Sequence, residues 1–102
     1  MKIKWTREAL LNIQEIEDYI SEDNPTAAIK FTDKLISIVE SLLIFPKKGR
    51  MVPELSFEQI RELIYKNYRI VYLVKKNSIE VLTIFEGNRL LDKEYIVKTK
   101  SN

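Results

Sequence analysis

The chain has 102 residues, is 45% apolar and carries a net charge of +2 at pH 7, which provides enough apolar material for one hydrophobic core. It contains neither cysteine nor histidine. This excludes disulfides, thiol catalysis and zinc-finger sites, and it removes the commonest general base. We therefore expect neither a metal nor a cofactor, and any chemistry must use Arg, Lys, Tyr, Asp, Glu, Ser or Thr.

The chain lacks the long apolar segments of membrane and secreted proteins. No run of about 18 uncharged apolar residues occurs, and the N-terminal sequence MKIKWTREA has no signal-peptide core. We expect a soluble, cytoplasmic protein. Residues 1–45 have a net charge of −3 and residues 46–102 a net charge of +5. This asymmetry favours an anionic partner for the second half, with a solvated surface of mixed charge as the alternative.

The first half predicts a short strand and a helical hairpin. Alternation predicts a strand over Lys2–Trp5, and Thr6 is a suitable N-cap for a helix over residues 7–21. This helix carries one apolar stripe, made of Ala9, Ile13, Ile16 and Ile20.

A second helix is predicted over residues 25–44, with Asn24 as N-cap and Pro46 as the stop. Its apolar stripe comprises Ala28, Phe31, Leu35, Ile38 and Leu42, with Leu43 and Phe45 extending its end. Because both helices are amphipathic, their shared apolar face needs a sheet to cover it.

The second half predicts a loop and a three-stranded antiparallel meander. Residues 47–55, KKGRMVPEL, have no period and contain Gly49 and Pro53, so we expect a loop. Strands rich in β-branched and aromatic residues follow over residues 60–65, 68–75 and 79–85. Residues 90–98 are expected to form a short helix or an extended tail. The prediction is one domain over residues 1–98 and a frayed tail over residues 99–102.

Two faces of the meander are distinguished by parity in its second strand. Tyr68, Ile70, Tyr72 and Val74 should pack on the helices, which leaves Arg69, Val71 and Leu73 on an open face. The register depends on the turn at Lys66-Asn67. A two-residue turn places Ile64 opposite Arg69, whereas a three-residue turn places Arg61 on the same face as Arg69. The sequence is compatible with both.

The order of these elements, together with the segments NPTAAIKF, FPKKGRMVPEL, IRELIYKNYRIVYLV and EGNR, resembles the RelE/ParE superfamily of type II toxin–antitoxin toxins. The resemblance spans nearly the whole chain. It implies an α+β fold of order β-α-α-β-β-β, with the helical hairpin on one face of an antiparallel sheet and the toxic site on the other. It also implies a toxin that arrests growth when free and that its antitoxin, encoded by the adjacent gene, silences in a hetero-oligomer.

The superfamily divides by target. ParE-like members inhibit DNA gyrase, and the segments GRMVPEL and IRELIYKNYRIVY look more ParE-like. RelE-like members cleave mRNA in the ribosome, and Arg69 matches an arginine of those nucleases, as does the spacing from Gly87 to Arg89 to Tyr95. Many relatives have a histidine near the positions of Phe85 or Glu86, whereas this chain has no histidine. The resemblance therefore favours gyrase inhibition, with ribosome-dependent mRNA cleavage as the alternative and a non-toxic antitoxin-binding module as a third possibility.

The resemblance also assigns candidate site residues. If the chain is a nuclease, Arg69 and Arg89 would clamp the phosphate, while Glu54 would be the base and Tyr95 the acid. The predicted surface for the target or the antitoxin comprises Arg50, Arg61, Arg69, Val71, Leu73 and Arg89. Purely structural roles compete with these assignments. They are an ion pair of Arg69 with Glu62 or Glu80, an ion pair of Arg50 with Glu54, and simple packing of Tyr95.

Overall fold

The computed structural model describes residues 1–89, 91 and 93–100, with side chains described as far as Ile96. The elements are β1 (Lys2–Trp5), α1 (Arg7–Ser21), α2 (Pro25–Glu40), a 3-10 turn (Ser41–Leu43), β2 (Arg50–Met51), β3 (Ile60–Tyr65), β4 (Tyr68–Val74), β5 (Ser78–Glu86) and α3 (Lys93–Lys100). The strands form one sheet in the order β1-β5-β4-β3-β2, in which only the β1–β5 pair is parallel. The α+β class and the predicted helical hairpin on a sheet are confirmed.

Thr6 caps α1 and ties its start to the sheet. Its hydroxyl oxygen accepts a hydrogen bond from the backbone N–H of Ala9 at 3.1 Å and donates to the carbonyl of Val81 at 2.8 Å. Ala9 is fully buried, and Ile13 and Ile16 pack against the same core. The predicted cap and apolar face of α1 are therefore confirmed.

The second helix begins as predicted but ends earlier. The Asn24 side chain accepts from the backbone N–H of Ala27 at 3.1 Å, and α2 then gives way to the 3-10 turn Ser41–Leu43. Because this turn is wound more tightly than an α-helix, later residues leave the apolar stripe. Leu43 and Phe45 are 42% and 65% exposed, so the expectation that they extend the core is wrong.

The register of the meander is that of a two-residue turn. Tyr65 pairs with Tyr68, and Ile64 pairs with Arg69, while Lys66 occupies the left-handed region with φ of 53°. Arg61 pairs with Tyr72 and therefore lies on the opposite face of the sheet from Arg69.

Both faces of the sheet are covered, which differs from the expected open face. Tyr68, Ile70, Tyr72 and Val74 pack with the two long helices, as predicted. On the other face, Val71 and Leu73 are only 0% and 4% exposed, because the loop after β2 and the C-terminal segment lie across them. The covering apolar residues include Val52, Leu55, Leu91 and Ile96.

The C-terminal segment forms the helical alternative of the two predicted. α3 extends to Lys100, which is beyond the predicted domain end at residue 98. Leu90 and the last two residues of the predicted tail, Ser101 and Asn102, lie outside the described residues. No helix in the described part of the chain is both long enough and apolar enough to span a membrane.

Candidate functional site

Arg69 is the centre of the candidate site. β4 places it on the face of the sheet away from the helical hairpin, where its side chain is only 8% exposed. Its two terminal nitrogens donate to the two carboxylate oxygens of Glu54, each at 2.8 Å. Its Nε donates to Oε1 of Glu62 at 2.7 Å. The guanidinium therefore binds the Glu54 carboxylate through its two terminal nitrogens and the Glu62 carboxylate through Nε.

Glu62 links Arg69 to a second arginine. The β2–β3 register places Arg50 directly opposite Glu62, and Arg50 Nε donates to Oε2 of Glu62 at 2.6 Å. The Glu62 side chain is completely buried, whereas that of Arg50 is 59% exposed. Each oxygen of this buried carboxylate thus has a charged donor, as burial of a charge requires. We call the series Arg50, Glu62, Arg69 and Glu54 the ion network.

Hydrogen bonds between Arg69 and its carboxylate partners shift the pKa values of Glu54 and Arg69. Hydrogen bonds from Arg69 hold the pKa of Glu54 below its ordinary value, against the opposing effect of burial. The bonds to Glu54 and Glu62 raise the pKa of Arg69. The Cζ atom of Arg69 also lies 5.1 Å from the centroid of the Phe85 ring, within the range of a cation–π contact. The Glu54 carboxylate and the Arg69 guanidinium are therefore both ionised at neutral pH.

Three of the four residues assigned to nuclease chemistry, namely Glu54, Arg69 and Tyr95, are engaged with protein groups. Glu54, the candidate base, accepts both of its charge-assisted hydrogen bonds from Arg69, the candidate clamp. The hydroxyl of Tyr95, the candidate acid, donates to the backbone carbonyl of Leu82 at 3.2 Å. Tyr95 also packs against the apolar cluster on the sheet face away from the helical hairpin, which includes Val71, Leu73, Leu91 and Ile96 and which we call the second core. This contact agrees with its predicted packing role.

The other two arginines of the predicted site lie apart from the ion network. Arg61 donates to the carbonyls of Gly49 at 2.9 Å and Glu58 at 3.1 Å. Arg89 lies just beyond the end of β5 and lines a cleft of about 180 Å³ beside α1. The structure therefore brings Arg50 and Arg69 together and keeps Arg61 and Arg89 separate from them.

The structural alternatives have mixed outcomes. Arg69 does pair with Glu62, as the first alternative proposed, whereas Glu80 pairs with Lys75 at 2.6 Å. The suggested pairing of Arg50 with Glu54 is wrong, because Arg50 binds Glu62 instead.

The central role of Glu62 is not predicted by the sequence. Glu62 is expected there only as one possible partner of Arg69, because its position relative to Arg69 depends on the register. With a two-residue turn, Ile64 lies opposite Arg69, so Glu62 points to the same face as Arg69. A carboxylate inside an apolar strand, on the same face as a buried arginine, was the available signal.

The amino-acid sequence is similar to those of known toxins. Residues 3–91 match the family model described as ParE toxin of type II toxin-antitoxin system, parDE. The chain is 30% identical over 90 residues to the protein Y4kP of Sinorhizobium fredii, covering 86% of this chain and 90% of that protein. It is 31% identical over 90 residues to Toxin RelE2 of Caulobacter vibrioides, covering 87% and 98%.

A solved structure supports the same assignment. The chain superposes on a chain of the chromosomal ParDE toxin–antitoxin system from P. aeruginosa with a TM-score of 0.70 and 26% identity. The match covers 84% of this chain and 95% of that one. Because toxins of this family belong to type II toxin–antitoxin systems, the partner of this chain is a cognate antitoxin. This chain belongs to the ParE toxin family and is the toxin component of a type II toxin–antitoxin system.

Proposed function

We propose that this toxin arrests growth by inhibiting DNA gyrase and that it does not cleave RNA. The observation that carries the proposal is the occupation of the Arg69 fork by Glu54 at 2.8 Å on both nitrogens. A guanidinium binds the oxygens of a phosphate with the same two-pronged geometry that it uses for a carboxylate. Glu54 therefore fills the position that an RNA phosphate would need.

Cleavage of RNA without a metal requires a base, a cationic clamp and an acid directed at one phosphate. In this chain the base and the clamp neutralise each other, because Glu54 binds Arg69 directly. A carboxylate with a lowered pKa is also a weak base for a 2′-hydroxyl. The Tyr95 hydroxyl is directed to a backbone carbonyl. This arrangement supports a toxin that acts by binding a protein target.

Family membership supports gyrase as that target, because the resemblance to ParE-like members implies gyrase inhibition. A binding toxin needs exposed charged groups on a rigid scaffold. The Arg50 side chain is 59% exposed, and its guanidinium is fixed by the buried Glu62. We infer that the toxin works in the cytoplasm and that the antitoxin neutralises it by forming a hetero-oligomer.

Ribosome-dependent mRNA cleavage is the second candidate. Two observations favour it, namely the similarity to Toxin RelE2 and the presence of Arg69 on the strand where RelE-like nucleases carry an arginine. In that mechanism the ribosome would have to separate Arg69 from Glu54 before the guanidinium could bind a phosphate.

Expression of the full chain without its antitoxin tests the proposal. Plasmid supercoiling and transcript 5′ ends are measured in the same cultures. We expect growth arrest with loss of negative supercoiling and with transcript ends unchanged from uninduced cells. Cuts at a fixed position within codons, which disappear in Arg69→Ala, would instead establish the nuclease. Absence of growth arrest would contradict a toxic function of either kind.

Tyr95→Phe is the matched variant, because it removes the candidate acid and retains the aromatic ring that packs in the second core. We expect it to keep the full effect on supercoiling. Loss of toxicity in this variant, with its thermal unfolding unchanged, would favour the nuclease.

A further inference from the structure

A groove of about 700 Å³ lies where the β3–β4 turn meets the two long helices. Its rim carries three exposed lysines, Lys30 and Lys34 from α2 and Lys66 from the turn. Lys30 and Lys34 are one helical turn apart and therefore project from the same side of α2. None of the three ammonium groups forms an ion pair with any carboxylate in the described part of the chain. We call this feature the lysine-rimmed groove.

Aromatic and aliphatic groups line the interior of the groove. The ring of Phe31 packs against Tyr65 at 5.2 Å and against Tyr68 at 5.4 Å between centroids. Tyr19 lies at the border of the groove with 72% of its surface exposed. The groove thus combines a partly apolar interior with a cationic rim, which is the complement of an amphipathic acidic segment.

We propose that the lysine-rimmed groove binds an acidic, amphipathic segment of the antitoxin. Carboxylates of that segment would meet the three lysines, and its apolar side chains would contact Phe31 and Tyr19. The proposal rests on the antitoxin partner of this toxin and is independent of gyrase as the target.

The ring contacts favour a polypeptide over a nucleic acid. Single-stranded nucleic acids bind aromatic side chains mainly by stacking bases on their open faces. In the lysine-rimmed groove the rings of Phe31, Tyr65 and Tyr68 already pack against one another in tilted or edge-on geometry. Lys66 Nζ also lies 5.9 Å from the centroid of the Tyr65 ring. Little free ring surface therefore remains for a base inside the groove.

The fold also directs the antitoxin to this side of the molecule. The sequence predicts that the antitoxin binds a surface that includes Val71 and Leu73, but the toxin's own loop and C-terminal segment cover both residues. The lysine-rimmed groove needs no such displacement.

The test measures the Kd between the full-length toxin and the antitoxin encoded beside it, at 0.1 M and 0.5 M NaCl. The test variant is Lys30→Gln, Lys34→Gln, Lys66→Gln. The matched control is Lys2→Gln, Lys4→Gln, Lys76→Gln, which removes the same charge from exposed lysines near the opposite end of the sheet. Because all six lysines are exposed, both variants should fold with unchanged thermal unfolding.

We expect the test variant to raise the Kd about 10- to 100-fold at 0.1 M NaCl and to weaken its salt dependence, as the loss of three charge contacts predicts. The control should change the Kd less than about 3-fold. Equal effects of the two variants, or no effect of either, would overturn the proposal.

Two further readouts separate other occupants. If the test variant loses binding to a single-stranded DNA oligonucleotide while its affinity for the antitoxin is unchanged, the groove is a nucleic-acid site and the proposal is wrong. If the test variant changes only the sedimentation of the toxin measured without antitoxin, the groove is a self-association site and the proposal is likewise wrong. A failure of gyrase inhibition would leave the Kd comparison unaffected, so the two proposals can fail separately.

Discussion

Arg69 and Glu54 are joined by two parallel hydrogen bonds of 2.8 Å each. This pair connects the loop that follows β2 to the middle of the sheet. It also places a carboxylate where a guanidinium would otherwise bind a phosphate. The same contact therefore holds the loop over this face of the sheet and occupies both terminal nitrogens of Arg69.

The first prediction concerns pH. The pKa of Glu54 in the folded protein is below its ordinary value of 4.5, chiefly because of the hydrogen bonds from Arg69. The stabilisation is therefore complete above pH 4.5 and is lost as the pH falls through the folded pKa. Replacement of Glu54 by Gln should cost about 1 to 2 kcal/mol at pH 7. It should also reduce the loss of stability on acidification, as measured by urea unfolding between pH 7 and pH 3. Identical pH profiles for parent and variant would contradict this assignment.

The second prediction concerns the buried carboxylate of the ion network. Glu62→Ala leaves Arg69, which is only 8% exposed, without one of its two anionic partners. We expect the free energy of unfolding to fall by about 3 kcal/mol. The matched change Arg50→Ala removes a side chain that is 59% exposed, but leaves one oxygen of the buried Glu62 without its charged donor. It should cost less than Glu62→Ala, because Arg69 still binds the carboxylate. A larger loss for Arg50→Ala than for Glu62→Ala, in denaturant unfolding, would be inconsistent with the network.

The third prediction uses the two glycines. A Cβ at Gly49 would lie 2.5 Å from the Glu62 carbonyl oxygen and 2.7 Å from the Tyr72 hydroxyl, which accepts from the Gly49 N–H at 2.9 Å. Gly49→Ala should therefore destabilise the protein by about 2 kcal/mol. Gly87→Ala is the control, because its nearest contact is an ordinary 3.5 Å. It should change the unfolding free energy by less than about 0.5 kcal/mol. Equal effects in thermal unfolding would contradict the close contact of the Gly49 backbone with Glu62 and Tyr72.

The fourth prediction tests the core beneath α2. Leu35 is 1% exposed, so Leu35→Ala should create a cavity and cost about 2 to 5 kcal/mol in denaturant unfolding. Ile29 lies on the same helix but is 58% exposed. Ile29→Ala should change stability by less than about 0.5 kcal/mol. A loss below about 1 kcal/mol for Leu35→Ala would contradict the assigned helix face.

Local signals predicted the helices and strands because each element has a clear period and distinct end residues. Thr6 and Asn24 both cap helices through their side chains, as their position before an amphipathic pattern indicates. The parity of β4 likewise separated Ile70 and Tyr72 from Val71 and Leu73, because successive strand residues point to opposite faces.

Long-range contacts of short segments were not predictable in the same way. β2 contains only Arg50 and Met51, too few residues to show a period, so its pairing with Glu62 and Arg61 could not be inferred. The C-terminal segment covers the second face through a few apolar residues such as Leu91 and Ile96. That number is too small to distinguish a docked helix from an exposed tail. The ion network depends on the β2–β3 pairing, which brings Arg50 to Glu62, so only its Arg69–Glu62 pair was predicted.

Supercoiling of relaxed plasmid by purified DNA gyrase, measured with increasing amounts of the purified full-length toxin, tests the central claim most directly. We expect the toxin to inhibit supercoiling, and we expect prior addition of the antitoxin to abolish that inhibition. Unimpaired supercoiling at a large molar excess of folded toxin would contradict the account.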